Sequence, residues 1–130
     1  MNNNKNIDLV YPELSYKIIG ILFDVHNELG GGLPEKVYYK AIKLGFEKEG
    51  IMCKEQLMIP LEFKGRKIGR CFLDFLVDDK IVLEIKTGNR FTKGNIAQVY
   101  NYLKFATLKL GIIANFTKNN MEFMRILNVK

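Results

Sequence analysis

The sequence has little of what several classes of protein require. It contains only two cysteines, Cys53 and Cys71, without C-x-x-C spacing, and one histidine, His26. The four Cys or His ligands of a structural zinc site therefore cannot be assembled, and we expect both cysteines to be small core residues. The longest apolar run, residues 18–23, is broken by Gly20, and the polar start of the chain lacks the layout of a secretory signal. We therefore expect no association with a membrane and a cytoplasmic location.

Size and charge limit the class of protein further. The chain has 130 residues, 48% of them hydrophobic and 26% charged, which is ordinary for one soluble globular domain. We expect residues 1–11 to form a flexible N-terminal segment and residues 12–130 to form a single domain. Positive charge is concentrated late, because residues 1–50 carry a net −1 and residues 51–130 a net +7. A basic half of this kind suits a polyanionic partner such as nucleic acid.

Hydrophobic periodicity predicts an ordered series of helices and strands. Pro12 begins an amphipathic helix that the Gly30–Gly32 triplet ends, and Pro34 begins a second helix that Gly50 ends. The period then changes, because short, partly alternating apolar segments follow with turn residues between them, which indicates an antiparallel meander. A third helix, a buried strand and an edge strand complete the order α-α-β-β-β-α-β-β. The predicted strands are 57–63, 68–77, 81–85, 110–116 and 121–127, and the third helix is about 93–105.

The segment from Asp74 to Lys86 brings ionisable groups into the middle of the predicted meander. Glu84 and Lys86 share one face of their strand, because side chains alternate along a strand. A tight turn at Asp78 and Asp79 places Asp74 opposite position 83 or 84, within reach of Glu84. Two such carboxylates among apolar neighbours suit a hard divalent ion. A salt bridge between Lys86 and either carboxylate is the simpler alternative, and the triplet alone does not exclude it.

Five residues of the predicted helices are weaker candidates. Gln98 and Tyr102 share a face of the third helix, where Gln98 could hydrogen-bond water, Lys86 or a phosphate, and both are equally typical of an amphipathic helix. Glu35 lies in the first turn of the second helix, where a carboxylate either interacts with the helix dipole or projects toward a metal. His26 and Tyr38 are second-tier candidates together with Tyr102, and a lone histidine is usually structural.

Several motifs, taken together and in this order, resemble the PD-(D/E)XK nuclease superfamily, and within it the small GxxExxY proteins. The name-giving pattern fits Gly32-Leu-Pro-Glu35-Lys-Val-Tyr38, and the further matches are Asp74 with Glu84-Ile-Lys86, and Gln98-Val-Tyr-Asn-Tyr102. Segments 111–116 and 124–128 are similar as well, so that the resemblance covers about residues 12–128. One departure is Leu73, which precedes Asp74 where the family name has proline.

The resemblance implies an α/β (α+β) fold with an αβββαβ core, a mixed central sheet and flanking helices. It implies that Asp74 and Glu84 bind Mg²⁺ or Mn²⁺, with the Ile85 backbone carbonyl as a further ligand, and that Lys86 lies near the attacking water. Glu35 corresponds to the acid carried by a helix and is a further candidate metal ligand, and Gln98 with Tyr102 corresponds to the QxxxY motif of RecB-like nucleases.

The predicted function is hydrolysis of phosphodiester bonds in DNA or RNA, and two rival functions stay open. Basic residues of the meander and its surroundings would bind the nucleic-acid backbone, although each is equally compatible with a solvated surface. The first rival is a binding module that keeps the fold without turnover, and the second is an interaction protein, for example a homodimer formed through an edge strand. The candidate nucleic-acid-binding residues are Lys64, Arg66, Lys67, Arg70, Arg90 and Lys93.

Overall fold

The computed structural model describes residues 10–89 and 91–129, and its elements follow the predicted order. Val10 and Tyr11, from the predicted flexible segment, pack against the hydrophobic core, whereas residues 1–9 lie outside the described residues. The helices and strands are α1 (Pro12–Leu29), α2 (Glu35–Glu49), β1 (Cys53–Phe63), β2 (Arg66–Val77), β3 (Ile81–Thr87), α3 (Lys93–Ala106), β4 (Leu110–Phe116) and β5 (Met121–Leu127).

The strands form one mixed sheet in the order β1-β2-β3-β4-β5. The pairs β1–β2, β2–β3 and β4–β5 are antiparallel, which confirms the meander, and β3 and β4 are parallel. A parallel pair needs a long crossover connection, and α3 supplies it between β3 and β4. The predicted edge strand β5 lies at one edge of the sheet, and β1 begins four residues earlier than predicted, at Cys53.

Helices cover both faces of the sheet, and the alternation along β3 explains how. Ile81, Leu83 and Ile85 are fully buried in the core that includes residues of α1 and α2. Val82 is fully buried in a second core that includes residues of α3. A strand buried on both faces has an almost continuous apolar sequence. The segment Ile81–Thr87 has one up to Ile85, interrupted by Glu84. Glu84 is therefore a buried charged residue in a largely apolar strand.

Partway along the β1–β2 hairpin, the core into which its buried side chains pack changes. Phe75 packs in the α1/α2 core, whereas Leu73 and its cross-strand partner Leu57 pack in the α3 core. Regular alternation would place Leu73 and Phe75 on the same face. The alternation is interrupted at Asp74, opposite Gln56, a non-glycine residue with a φ of 54°. Asp74 therefore lies where the hairpin leaves the main sheet.

Local signals fix the ends of the helices that carry candidate residues. The Thr92 side chain accepts a hydrogen bond from the Asn95 N–H, and the Asn95 side chain accepts one from the Thr92 N–H, each over 3.0 Å. This capping box fixes the start of α3 and hence the direction of its later residues. Gly50 ends α2 in the left-handed conformation, with a φ of 69°.

Candidate active site

Beyond the last paired residues of β2 and β3, side-chain carboxylates accept the hydrogen bonds of backbone N–H groups in place of strand pairing. The backbone pairs run from Val77 with Ile81 to Phe75 with Leu83, which is the register expected from a tight turn. At the next position Glu84 Oε1 accepts a hydrogen bond from the Asp74 N–H over 3.0 Å. Asp74 Oδ2 in turn accepts one from the Ile85 N–H over 2.8 Å. The two carboxylates thus lie together in the gap that opens between the strands.

Burial raises the pKa of both carboxylates above its ordinary value. Glu84 is 4% exposed, and its burial, followed by the nearby charge of Asp74, raises its pKa to about 7. Burial also raises the pKa of Asp74, against the opposing effect of the hydrogen bond from Ile85. Lys86 favours the ionised form of Glu84, with Nζ 3.2 Å from Oε2. The ion pair considered as the simpler alternative is therefore present, yet it does not offset the cost of burial.

The backbone of Ile85 adds an oxygen to this gap. Its N–H points toward Asp74, and the N–H and C=O of one residue point to the same side of a strand. The Ile85 carbonyl is therefore directed to the side on which the Asp74 carboxylate lies. Two carboxylates and one carbonyl are oxygen donors of the kind that Mg²⁺ prefers, so the donors present fit such an ion.

Glu35 lies in the first turn of α2 and interacts electrostatically with Lys86 and Asp74. Burial raises the pKa of Glu35, the charge of Lys86 lowers it, and the charge of Asp74 raises it. Within residues 10–89 and 91–129, however, no three His, Cys, Asp or Glu side chains are grouped closely enough to hold a metal ion. Glu35 is thus a neighbour of the Asp74–Glu84 pair and lies outside its hydrogen bonds.

Tyr38 holds the loop that leads to Glu35. Its hydroxyl donates to the Gly30 carbonyl over 2.7 Å and accepts from the Leu33 N–H over 3.2 Å. The buried ring stacks on Phe116, with 4.3 Å between ring centroids. A Cβ on Gly31 would collide with the backbone carbonyls of the turn after β4, so the glycine triplet permits close approach by protein backbone. Tyr38 therefore acts on the structure of the loop.

His26 makes its contacts with Phe116 and the glycine loop. Its ring is 6.4 Å from that of Phe116, and its Nε2 is buried without a hydrogen-bond partner in the described part of the chain. The His26 carbonyl accepts the Gly30 N–H that ends α1. Among the described residues, the hydrogen bonds and the ion pair of Asp74 and Glu84 do not include His26.

Helix α3 reaches the site through Gln98. Its Nε2 donates to the Phe72 carbonyl over 3.4 Å, two residues before Asp74 and in the region where β3 no longer pairs with β2. Tyr102, one turn further along, is 8% exposed and packs in the α3 core, where burial raises its pKa. The structure thus brings Gln98 to the edge of the gap between β2 and β3, and Tyr102 packs between α3 and the sheet.

The candidate nucleic-acid-binding residues lie mainly on the β1–β2 hairpin. Lys64 is in its turn, and Arg66, Lys67 and Arg70 are on β2, all of them exposed. Lys93 is the exposed first residue of α3, and Arg90 lies outside the described residues. Among the ion pairs of the described chain, none involves these five residues.

Asn115 is a polar residue of the site region that the sequence did not single out. It is fully buried on β4 and is the Cα partner of Lys86 in the parallel pair. Its Nδ2 donates to the Gly88 carbonyl over 3.2 Å, and its Oδ1 has no partner within the described residues. The signal was available, because an amide within the otherwise apolar segment Leu110–Phe116 is expensive to bury.

A comparison with known protein families identifies the superfamily. The sequence model of the PD-(D/E)XK nuclease superfamily matches residues 12–126, and the chain belongs to that superfamily. No curated protein matches the chain in a sequence comparison.

Solved structures support the same fold. The crystal structure of SSO0001 superposes with a TM-score of 0.54 at 17% sequence identity, covering 73% of this chain and 51% of the other. The present chain thus spans about half the length of that relative, and the likeness concerns the fold alone. No helix of the described residues is long and apolar enough to cross a membrane.

Proposed function

We propose that this protein is a metal-dependent nuclease that hydrolyses phosphodiester bonds of DNA or RNA. The observation that carries the proposal is the Asp74–Glu84 pair with Lys86, in which Glu84 is buried and Asp74 partly buried, located where β2 and β3 separate. Ionisable groups with strongly shifted pKa values are concentrated at functional sites. The match to the superfamily supports the reaction class, and the small GxxExxY proteins are the proposed subgroup.

Asp74, Glu84 and the Ile85 carbonyl would hold Mg²⁺ or Mn²⁺, and Glu35, whose pKa responds to the charges of Lys86 and Asp74, would order the surrounding water. A divalent ion supplies polarisation of the phosphate and a lowered pKa of a bound water. A cation would favour the ionised form of both carboxylates. Burial raises the pKa of Asp74 and of Glu84, the charge of Asp74 raises that of Glu84 further, and positive charge beside the two groups lowers both pKa values.

Lys86 has the role of placing positive charge beside the reacting phosphate. Its ammonium lies against Glu84 Oε2, on the strand that also carries the Ile85 carbonyl. From that position it stabilises negative charge as it develops, or orients the attacking water. Gln98, anchored to the Phe72 carbonyl, supplies a second polar group at the same edge.

The exposed cations of the hairpin would bind the phosphate backbone. Lys64, Arg66, Lys67 and Arg70 form a basic region on the hairpin that also carries Asp74, and Lys93 and Arg90 precede or begin α3 in the sequence. Backbone contacts give affinity that falls with salt and carry little sequence information. We therefore expect weak sequence specificity.

The first test is cleavage of labelled single-stranded, duplex and branched DNA and of RNA, with Mg²⁺, Mn²⁺ or EDTA. An Asp74→Asn/Glu84→Gln double variant is the inactive control, and Glu122→Gln, at an exposed carboxylate on β5, is the matched control. We expect cleavage that requires the metal, survives Glu122→Gln and disappears in the double variant. Equal cleavage by the parent protein and the double variant would contradict the assignment.

One observation favours a binding module as the second candidate. The described residues contain no group of three His, Cys, Asp or Glu side chains that could hold a metal ion, and a fold that keeps its basic surface could bind nucleic acid without hydrolysing it. That function predicts affinity for nucleic acid that is unchanged by Asp74→Ala and no cleavage by the folded, metal-loaded parent protein.

A further inference from the structure

An exposed aromatic ring lies directly beside the candidate active site. Phe72 is 46% exposed, and its cross-strand partner Met58 is 43% exposed. Isolated exposed apolar side chains are normal in soluble proteins and need no function. This pair differs from the other exposed apolar residues in two ways. Phe72 is only two residues before Asp74, and a cation, Arg70, lies against its ring.

Phe72 points away from the α3 core, because its neighbours Cys71 and Leu73 on β2 pack against that core. The regular alternation ends at Asp74, so the side of its carboxylate follows from its own interactions. The charge of Asp74 acts on Glu35 and Tyr39 of α2, which puts the carboxylate on the α2 side as well. The ring of Phe72 and the Asp74 carboxylate are therefore two residues apart on β2, on the same side of the hairpin.

The charges next to this ring suit a nucleotide. The Arg70 guanidinium lies 5.9 Å from the Phe72 ring centroid, and the same hairpin carries the exposed residues Lys64, Arg66 and Lys67. Proteins that bind single strands combine an aromatic surface for the base with cations that follow the backbone. Phe72, Met58 and Arg70 have this combination next to the groups proposed to act on the phosphate.

We propose that Phe72, supported by Met58, is the stacking site for an unpaired nucleobase next to the phosphodiester bond held at Asp74 and Glu84. This inference rests on the proposed nuclease function and narrows its substrate to strands that are unpaired at the cleavage point. In a duplex both faces of a base are covered by its neighbours, so a ring can stack only on a base that is single-stranded, terminal or flipped out.

The charge and size of the patch argue against a second copy of this chain as its occupant. Two side chains fall far short of the roughly 800 Å² per partner that a stable protein interface buries. Residues 61–70 of the hairpin also carry four Lys or Arg and one Glu, so two copies of this region would repel one another, whereas a polyanion is attracted.

The test measures binding in EDTA, where no cleavage occurs, by fluorescence anisotropy of a labelled homothymidine strand, a fully abasic strand of equal length and a duplex. The variants are Phe72→Ala, Phe72→Tyr and the matched control Phe63→Ala, which removes another exposed ring of the same hairpin, 61% exposed and 5.4 Å from the Lys64 ammonium. Circular dichroism and size-exclusion chromatography establish the fold and the oligomeric state of each variant.

We expect Phe72→Ala to weaken binding of the homothymidine strand by about tenfold, a typical effect of losing one base–aromatic stack. Phe72→Tyr and Phe63→Ala should keep parental affinity, and the abasic strand should not distinguish Phe72→Ala from the parent. Parental affinity in Phe72→Ala, an equal loss on the abasic strand, or a ring-dependent dimer would overturn the stacking site.

The two proposals fail separately. A parent protein that cleaves, with a Phe72→Ala variant that binds as the parent does, would overturn the stacking site and leave the nuclease function standing. Binding that depends on Phe72 without cleavage of any substrate would support the stacking site and overturn the nuclease function. A parent protein that cleaves nothing and binds none of the strands would overturn both.

Discussion

Glu55 and Glu84 are the same residue type with a lysine at nearly the same distance, and the fold treats them in opposite ways. Lys43 Nζ lies 3.0 Å from Glu55, and Lys86 Nζ lies 3.2 Å from Glu84. The Tyr39 hydroxyl donates to Glu55 over 2.6 Å, and the pKa of Glu55 is lowered by Tyr39 and Lys43. The pKa of Glu84 is raised to about 7 by burial and by Asp74.

The contrast shows that an ion pair does not by itself reveal what a carboxylate does. Glu55 is at the surface with donors that match its charge, which is a structural arrangement. Glu84 is buried opposite a second carboxylate, and one lysine does not balance the two. Proteins keep buried charges at such a cost mainly at functional sites, and the proposed metal site would supply the cation that balances this pair.

The largest expected effect separates the two lysines. Lys86→Ala should lower the cleavage rate by at least about 100-fold, because charge developing on the phosphate loses its nearest stabilising cation. The fold and metal binding should persist. Lys43→Ala, the matched change at Glu55, should cleave at the parental rate. Initial rates on the preferred substrate test this, and parental cleavage by Lys86→Ala would show that the role assigned to this residue is wrong.

The second effect is stabilisation by the metal. Mg²⁺ at about 100 times its dissociation constant should raise the free energy of unfolding by about 2.7 kcal/mol. Glu55→Gln should retain this gain, and Asp74→Asn/Glu84→Gln should lose it. Urea unfolding with Mg²⁺, against NaCl of equal ionic strength, provides the measurement. A gain that persists in the double variant would locate the metal elsewhere.

The third effect is a dependence of stability on pH that Glu84 controls. Because its pKa is higher in the folded protein than the ordinary 4.5, the folded state binds more protons than the unfolded state between pH 4.5 and about 7. Stability therefore falls as pH rises through this range, by up to about 1.4 kcal/mol per pH unit from this group alone.

Glu84→Gln should remove this fall in stability with rising pH. In EDTA the variant should be more stable than the parent at pH 8, and the difference should vanish below about pH 4.5, where Glu84 is protonated. Chemical unfolding across this pH range measures it. A variant whose stability changes with pH as steeply as that of the parent would contradict the assigned cause.

The sequence was sufficient for the parts of this site that depend on short-range rules. The hairpin turn at Asp78 and Asp79 set the register, and the pairing of Val77 with Ile81 confirms it. Alternation placed Glu84 and Lys86 on one face of β3, and the resemblance gave the superfamily.

Other features depend on contacts that no local pattern encodes. The interruption at Asp74 accompanies a positive φ at Gln56, a residue type with no strong preference for that conformation. Asn115 was overlooked because its neighbours predict a buried strand, and only the parallel pairing shows that it lies beside Lys86. The exposure of Phe72 follows from how far the hairpin extends past the helices, which periodicity does not encode.

The smallest expected effect is at Glu55 and has the opposite sign of pH dependence. The lowered pKa of Glu55 means that its stabilising contribution is present above about pH 4.5 and is lost as the pH falls through its folded-state pKa. Glu55→Gln should therefore cost less than about 1 kcal/mol at neutral pH, as exposed ion pairs do, and nothing in acid.

Glu55→Gln and Glu84→Gln, unfolded side by side at pH 8, should thus shift the free energy of unfolding in opposite directions. If both changes destabilised the protein, the ion pair at Glu84 would be a net stabilising contact like that at Glu55. The argument that Glu84 is held at a cost for the sake of a cation would then fail. If Glu84→Gln alone stabilises the protein, the two carboxylates differ in purpose as well as in environment.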